Sequence, residues 1–368
     1  YKDTVIDELE ELGYYNNTYL NQGLNVYTSF NQDYQKVVEK SASEYTKDSK
    51  VETSSIVVEP YTSKILAIIG GKDYASSQFN RATQANRQIG STIKPLLYYL
   101  ALENGFTPAT TFLCEPTTFK LDDNSTYSPS NFNDKYAYKD VTLAQAIAVS
   151  DNIFAVKTHL FLGTDNLASL IKKFGIKDVK ANASLALGTL NTNIYNLANM
   201  YNCLASEGKY NHLYTIEKIT NDAGKVLYQH EQEDKQLLEQ DSCLELSQLL
   251  TSTFNSTFST YLQATMASYQ LDNINACKTG STDVDNLAVA YNPQVLVASW
   301  VGYDDNRKME TADDKTVAKK TVIDVLNYTN ENKDVTWYQP TEDLQQIAIN
   351  PLTGDFDENG TVYWFKKD

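Results

Sequence analysis

Two apolar, β-rich runs near one end of the chain and three near the other constrain its fold more than any other feature. Ser55-Ile56-Val57-Val58-Glu59 and Ile65-Leu66-Ala67-Ile68-Ile69 flank the turn-forming Pro60-Tyr61-Thr62-Ser63, which reads as a hairpin. Runs at Asn275 to Thr279, Leu287 to Tyr291 and Leu296 to Tyr303, divided by Asp283-Val284-Asp285-Asn286 and Asn292-Pro293, read as an antiparallel meander. Residues 75–270 form a helical and irregular middle, with helix patterns at Ser91 to Asn104, Leu143 to Val149, Ile153 to Phe161 and Leu167 to Phe174. Strands at both ends of such a middle predict an α+β fold in which the late strands pair with the early hairpin. A helix from about Thr316 to Tyr328 would cover one face of that sheet.

Three regions follow from this pattern: an N-terminal linker or junction over 1–50, a main domain over 51–332, and a small β-rich C-terminal region over 333–368. The first contains an acid-rich helix (Ile6 to Leu12), an extended stretch (Gly23 to Thr28) and a second helix (about Asn31 to Tyr45), all largely polar. The last carries turn chemistry at Asn350-Pro351-Leu352-Thr353-Gly354. A chain of 368 residues, 42% apolar and 21% charged, can bury a sizeable core.

The net charge of −16 leaves no basic face to neutralise a phosphate backbone, so no nucleic-acid partner is expected. No apolar run approaches the length of a membrane helix, and no signal-peptide pattern opens the chain, so any anchoring segment is expected upstream. Cys114, Cys203, Cys243 and Cys277 lie far apart with no CxxC pair and read as small buried hydrophobes. His159, His212 and His230 show no paired spacing, so neither a metal centre nor a Ser-His triad is expected. Chemistry here would run without histidine, metal or cofactor.

Three short motifs supply such chemistry. Ser91-Thr92-Ile93-Lys94 opens a helix whose Pro95 falls in the first turn, where amides have no helical acceptor. Helix residues three apart share a face, about 5–6 Å apart, so the lysine amine can reach the serine hydroxyl. A lysine desolvated in an apolar site loses basicity and can take the proton that keeps serine a weak nucleophile. Ser150-Asp151-Asn152 stands at a break between two helices, where Ser150 can relay a proton and Asn152 can hold both the lysine and a substrate carbonyl. Lys278-Thr279-Gly280-Ser281 lies on the first late strand, where a cation, two hydroxyls and a glycine suit an extended peptide ending in a carboxylate.

Each motif alone is weak. Ser169-Leu170-Ile171-Lys172 is a second SxxK inside an amphipathic helix, and Ser29-Phe30-Asn31 is a second SxN of the kind that caps helices. The three in order, on helix start, interhelix break and strand, are specific.

At this point the chain resembles the serine acyltransferases that include penicillin-binding proteins and the serine β-lactamases, and looks most like the transpeptidase domain of class A, bifunctional penicillin-binding proteins. The resemblance also rests on Phe79-Asn80-Arg81-Ala82-Thr83, Tyr127-Ser128-Pro129-Ser130-Asn131, Ser184-Leu185-Ala186-Leu187-Gly188 and Trp300-Val301-Gly302-Tyr303-Asp304. It implies a five-stranded antiparallel sheet flanked by helices, with residues 51–332 as the transpeptidase domain. It implies Ser91 as nucleophile, Lys94 as base, Ser150 and Asn152 as relay and substrate holder, and Lys278 as support for proton transfer. Thr279, Gly280 and Ser281 would bind the substrate, and the backbone amides of Ser91 and Ser281 would form the oxyanion hole.

The implied partners are peptidoglycan stem peptides ending in D-Ala-D-Ala, with β-lactams as covalent inhibitors. An upstream glycosyltransferase domain and membrane anchor, and a place on the extracytoplasmic face of the membrane, are implied for the full-length parent. A D,D-carboxypeptidase and a non-turnover β-lactam sensor or wall-binding domain share these motifs. A β-lactamase of the nearest class would need a glutamate after the SxN, yet Val179 to Ala205 contains no acid. Four positions depart from the family pattern: Cys277 where glycine is usual, Leu287 and Ala288 in place of an aromatic pair, and Ile89 in place of proline. All four are expected to alter the lining of the cleft.

Overall fold

The computed structural model describes residues 1–21, 23–121 and 124–367. Its central sheet joins the two ends of the chain as the apolar runs require. β1 (Glu52–Glu59) and β2 (Lys64–Ile69) form the hairpin, and β3 (Ala276–Ser281), β4 (Asp285–Asn292) and β5 (Val295–Gly302) form the meander. The order is β3-β4-β5-β1-β2, antiparallel throughout, and the halves meet where Ala298 pairs with Ile56 and Val297 with Val57. β3, with Lys278-Thr279-Gly280, is an edge strand.

Alternation along β5 shows how both faces are buried. Leu296, Ala298 and Trp300 enter one apolar cluster, while Val295, Val297 and Val301 enter another. Side chains two apart point to one face, so each face needs its own cover. The first face meets α2 (Lys94–Glu103), α3 (Leu143–Val149), α4 (Asn152–Leu162) and α5 (Gln240–Leu250), and the second meets α1 (Gln32–Thr46) and α6 (Val317–Asn332).

Helix α1, grouped in the sequence with an N-terminal junction, is a layer of this sandwich. Its Tyr34, Val38 and Ala42 are buried with Val322 and Leu326 of α6, and the Tyr34 hydroxyl lies 3.0 Å from Thr329 Oγ1. Its Gln35 amide bonds Ile68 N and O at 3.0 and 3.1 Å, occupying the outer edge of β2 as a neighbouring strand would.

The middle is less uniformly helical than its sequence suggests. Ile216–Asn221 pairs with both Leu24–Thr28 and Val226–Gln229 in a three-stranded sheet, a pairing across almost two hundred residues that no local pattern signals. The C-terminal region is a hairpin of Leu344–Ile349 and Thr361–Lys366, with the expected turn beginning at Asn350. It docks on α5 through Gln248, whose amide bonds Val362 O and Trp364 N.

Candidate active site

Ser91 sits on a 3-10 turn, Gly90–Ile93, that leads into α2 at Lys94 rather than in the α-helix itself. The turn is pressed against β3 so closely that glycine is required on both sides. A Cβ on Gly280 would stand 2.6 Å from Ile89 O, and one on Gly90, whose φ is +53°, would stand 2.9 Å from Ser281 O and 3.2 Å from Ser281 N. From a third direction Gly188 closes on Gly90, and Gly90 N donates to Gly188 O at 3.1 Å. These contacts set Ser91 beside the end of β3.

Lys94 turns inward from the first turn of α2 and is wholly buried. Its Nζ donates within reach of Ser150 O (2.8 Å), Asn152 Oδ1 (2.8 Å), Asp151 O (3.2 Å) and Ser150 Oγ (3.3 Å). Lys278, equally buried, reaches the same hydroxyl from β3 at 2.9 Å and also donates to Thr279 O at 2.7 Å. The Ser150 hydroxyl therefore stands between two buried amines.

Burial pushes Lys94 down to about 7, opposed by the charge of Asp151. It pushes Lys278 well below the usual lysine range, and the charge of Lys94 pushes it further. Among the described residues no hydrogen bond engages the Ser91 hydroxyl, so the expected Ser91–Lys94 contact is not formed here.

The other expected residues fall around this centre. Thr279 is buried, and the hydroxyl of the exposed Ser281 donates to Asn286 Oδ1 at 2.7 Å. Asn152 Nδ2 donates to Ser130 O at 2.7 Å, and Asn131 Oδ1 accepts from Asn152 N at 2.7 Å. The Tyr127–Asn131 stretch thereby props the SxN turn. Arg81 donates bidentately to Asp304, which ties Phe79–Thr83 to the end of β5, and Arg87 does the same for Asp285. Ser169 and Lys172 of the second SxxK are exposed on the outer face of their helix, while Asn31 caps α1.

Two readings of the cleft lining are corrected. Cys277 and Ala288 are wholly buried in the cluster under α1 and α6, because strand alternation turns them away from the side on which α2 packs. Ile89 and Leu287 do lie on that side, but as buried core residues. Sequence reasoning quoted Asp151 and Asn131 within motifs but gave neither a role, and it did not single out Tyr261. Asp151 is wholly buried, with its Oδ2 accepting from Asn131 Nδ2 (2.6 Å) and from the Tyr261 hydroxyl (2.8 Å). Among the described residues no group of histidine, cysteine and acidic side chains is arranged to hold a metal ion.

Chemically, the arrangement offers one hydroxyl at a helix start, two amines of lowered basicity joined by a second hydroxyl, and an open strand edge beside them. Comparison with known proteins gives a consistent result. A family model described as the penicillin binding protein transpeptidase domain matches residues 53–321. Penicillin-binding protein 2D of Bacillus subtilis (strain 168) is 38% identical over 96% of this chain, which spans 52% of that relative's length. Penicillin-binding protein 1A of Aquifex aeolicus (strain VF5) is 33% identical over 82% of the chain and 41% of its own length. The chain thus spans about half the length of these relatives, or less. Among solved structures, PonA1 of Mycobacterium tuberculosis in complex with penicillin V superposes with a TM-score of 0.78, at 21% identity, covering 93% of this chain and 95% of that one.

Proposed function

The chain belongs to the penicillin-binding protein transpeptidase family, and from that premise we propose that it is a serine D,D-transpeptidase cross-linking peptidoglycan stem peptides through Ser91. The observation that carries this reading is the pair of buried amines, Lys94 and Lys278, meeting at the Ser150 hydroxyl, with Lys94 three residues after Ser91.

A stem peptide ending in D-Ala-D-Ala lies along the edge of β3, its terminal carboxylate toward Thr279 and Ser281. The Ser91 hydroxyl adds to the penultimate D-Ala carbonyl while its proton passes to the neutral Lys94 amine. At about neutral pH a large share of Lys94 is unprotonated, so it can act as base. The amides of Ser91 and Ser281 receive the oxyanion, a role typically worth about 3 kcal/mol per donor. Collapse breaks the peptide bond, and the leaving amine takes the proton held by Lys94 through the Ser150 hydroxyl, supported by Lys278. An amine of a neighbouring stem then attacks the ester, its proton passing by way of Lys94 to the departing Ser91 oxygen as the cross-link forms. Asn152 orients both Lys94 and the substrate.

A β-lactam would enter as a mimic of the donor and remain as an ester on Ser91, and the fold shared with the penicillin V complex of PonA1 supports that reading. The greater length of the relatives supports a parent that carries a glycosyltransferase domain and membrane anchor upstream and works on the extracytoplasmic face. Product analysis with a stem peptide donor and an amine acceptor tests the activity. Cross-linked dimer with released D-Ala is expected, whereas trimmed monomer alone would replace the transpeptidase by a carboxypeptidase.

A further inference from the structure

Beneath the Ser150–Asn152 turn lies a carboxylate to which the mechanism above gives no part. The two oxygens of Asp151 accept three bonds from three segments: Phe154 N to Oδ1 at 2.7 Å, and Asn131 Nδ2 and the Tyr261 hydroxyl to Oδ2. Burying a carboxylate is costly unless its oxygens are hydrogen-bonded, and here three donors meet them. Lys94 donates to the carbonyl of this same residue.

We propose that Asp151 and Tyr261 are a positioning pair: Tyr261 fixes the Asp151 carboxylate under the turn, and that carboxylate holds Ser150 and Asn152 against Lys94. The inference rests on the transpeptidase reading of the site and adds to it a means of tuning the base.

Three observations carry it. Ser150 adopts a left-handed conformation, φ 60° and ψ 44°, which a residue other than glycine keeps only where its surroundings over-determine it. The segment bearing Tyr261 is itself bolted to α3, with Gln145 Nε2 donating to Thr260 Oγ1 at 2.8 Å and Thr265 N to Ala148 O at 3.0 Å. Lys319 of α6 holds the segment from behind through Thr265 O at 2.9 Å. This segment runs on into β3 and Lys278, so the clamp joins the SxN turn to the KTG strand.

The ionisable groups around the pair are few. Asp151 faces Tyr98 of α2, Tyr261, Cys114 and Lys94; Lys94 faces Asp151 and the second amine, Lys278. Asp151 is the acid in this set, and its charge works against the effect of burial on Lys94.

The test is the pH dependence of acylation by a chromogenic cephalosporin in the wild type, Asp151→Asn and Tyr261→Phe, beside an NMR titration of isotope-labelled Lys94. Loss of the negative charge weakens the hold of Lys94 on its proton. The rise of the rate with pH, and the NMR midpoint, should therefore move down by about one pH unit or more in Asp151→Asn. Tyr261→Phe retains the charge but frees the carboxylate, so its midpoint should stay near that of the wild type while the plateau rate falls by up to about a hundredfold. An unmoved midpoint in Asp151→Asn, or a wild-type plateau in Tyr261→Phe, overturns the inference. A wild type that is never acylated at Ser91 overturns the transpeptidase reading instead, and the Lys94 titration still decides the part played by Asp151. Should Asp151→Asn fail to fold, the plateau of Tyr261→Phe decides alone.

Discussion

Under α1 and α6 the central sheet presents Cys277, Ala288, Ala290 and Val297 to Tyr34, Val322 and Leu326, a cover that is chiefly aliphatic. Toward α2 the same strands present Lys278 beside Lys94, two amines sealed from water at the edge of an apolar cluster. Both sides are equally dry, yet burial does opposite things to them. On the first it removes apolar area from water and stabilises the fold at roughly 25 cal/mol per Å². On the second it penalises charge, and the amines persist only because carbonyls and hydroxyls receive their hydrogens. The α1/α6 side should therefore carry stability alone, whereas on the α2 side the two amines should carry reactivity within a cluster that is otherwise apolar.

Lys94→Met separates the two most sharply. Acylation should fall by about 10²–10⁴, because the proposed base is lost, while the unfolding free energy falls by only about 1–3 kcal/mol, because Ser150 O, Asp151 O and Asn152 Oδ1 lose their donor even as a desolvated amine is removed. The same variant has a pH signature. Lys94, pushed down to about 7 in the fold, returns to roughly 10.4 in the unfolded chain, so the unfolded state binds more protons between those values. Wild-type stability should rise with pH across that window, and below it the whole penalty of burying the charge applies. Urea unfolding at pH values inside and below the window should show a smaller rise in Lys94→Met, with Lys278 keeping the remainder. An undiminished rise would mean that Lys94 is not held neutral by the fold.

Leu326→Ala makes the converse cut. It removes a wholly buried side chain from the α1/α6 cover and should cost about 2–5 kcal/mol of unfolding free energy, with the acylation rate of the folded protein unchanged. A large loss of rate at full folding would show that the two sides are coupled. Cys277→Ala is the finest probe, since Cys277 neighbours Lys278 in sequence yet faces the other way. About 1 kcal/mol of stability should be lost with acylation intact, and a shifted acylation rate would return Cys277 to the cleft.

The parts of the molecule legible in sequence are those fixed by local pattern. The hairpin, the meander and the helix after Ser91 are each written in one continuous stretch of sequence, and so are the three motifs, because proton transfer needs those residue types at fixed spacing. The orientation of Cys277 was legible too, since period-two alternation opposes it to Lys278, but a family comparison position by position obscured it. That Asp151, Asn131 and Tyr261 meet was not legible. Their meeting depends on segments 20 and 110 residues apart that share no pattern. The strand at Ile216–Asn221 was hidden for the same reason, its partner Leu24–Thr28 lying at the far end of the chain.

The identity of the nucleophile is tested most directly by intact-protein mass spectrometry after incubation with benzylpenicillin, followed by peptide mapping, in the wild type and in Ser91→Ala. One penicilloyl group retained on the Ser91 peptide of the wild type, and none on the variant, is the expected result. An adduct that persists in Ser91→Ala, or a drug consumed by the wild type without any adduct, would contradict it.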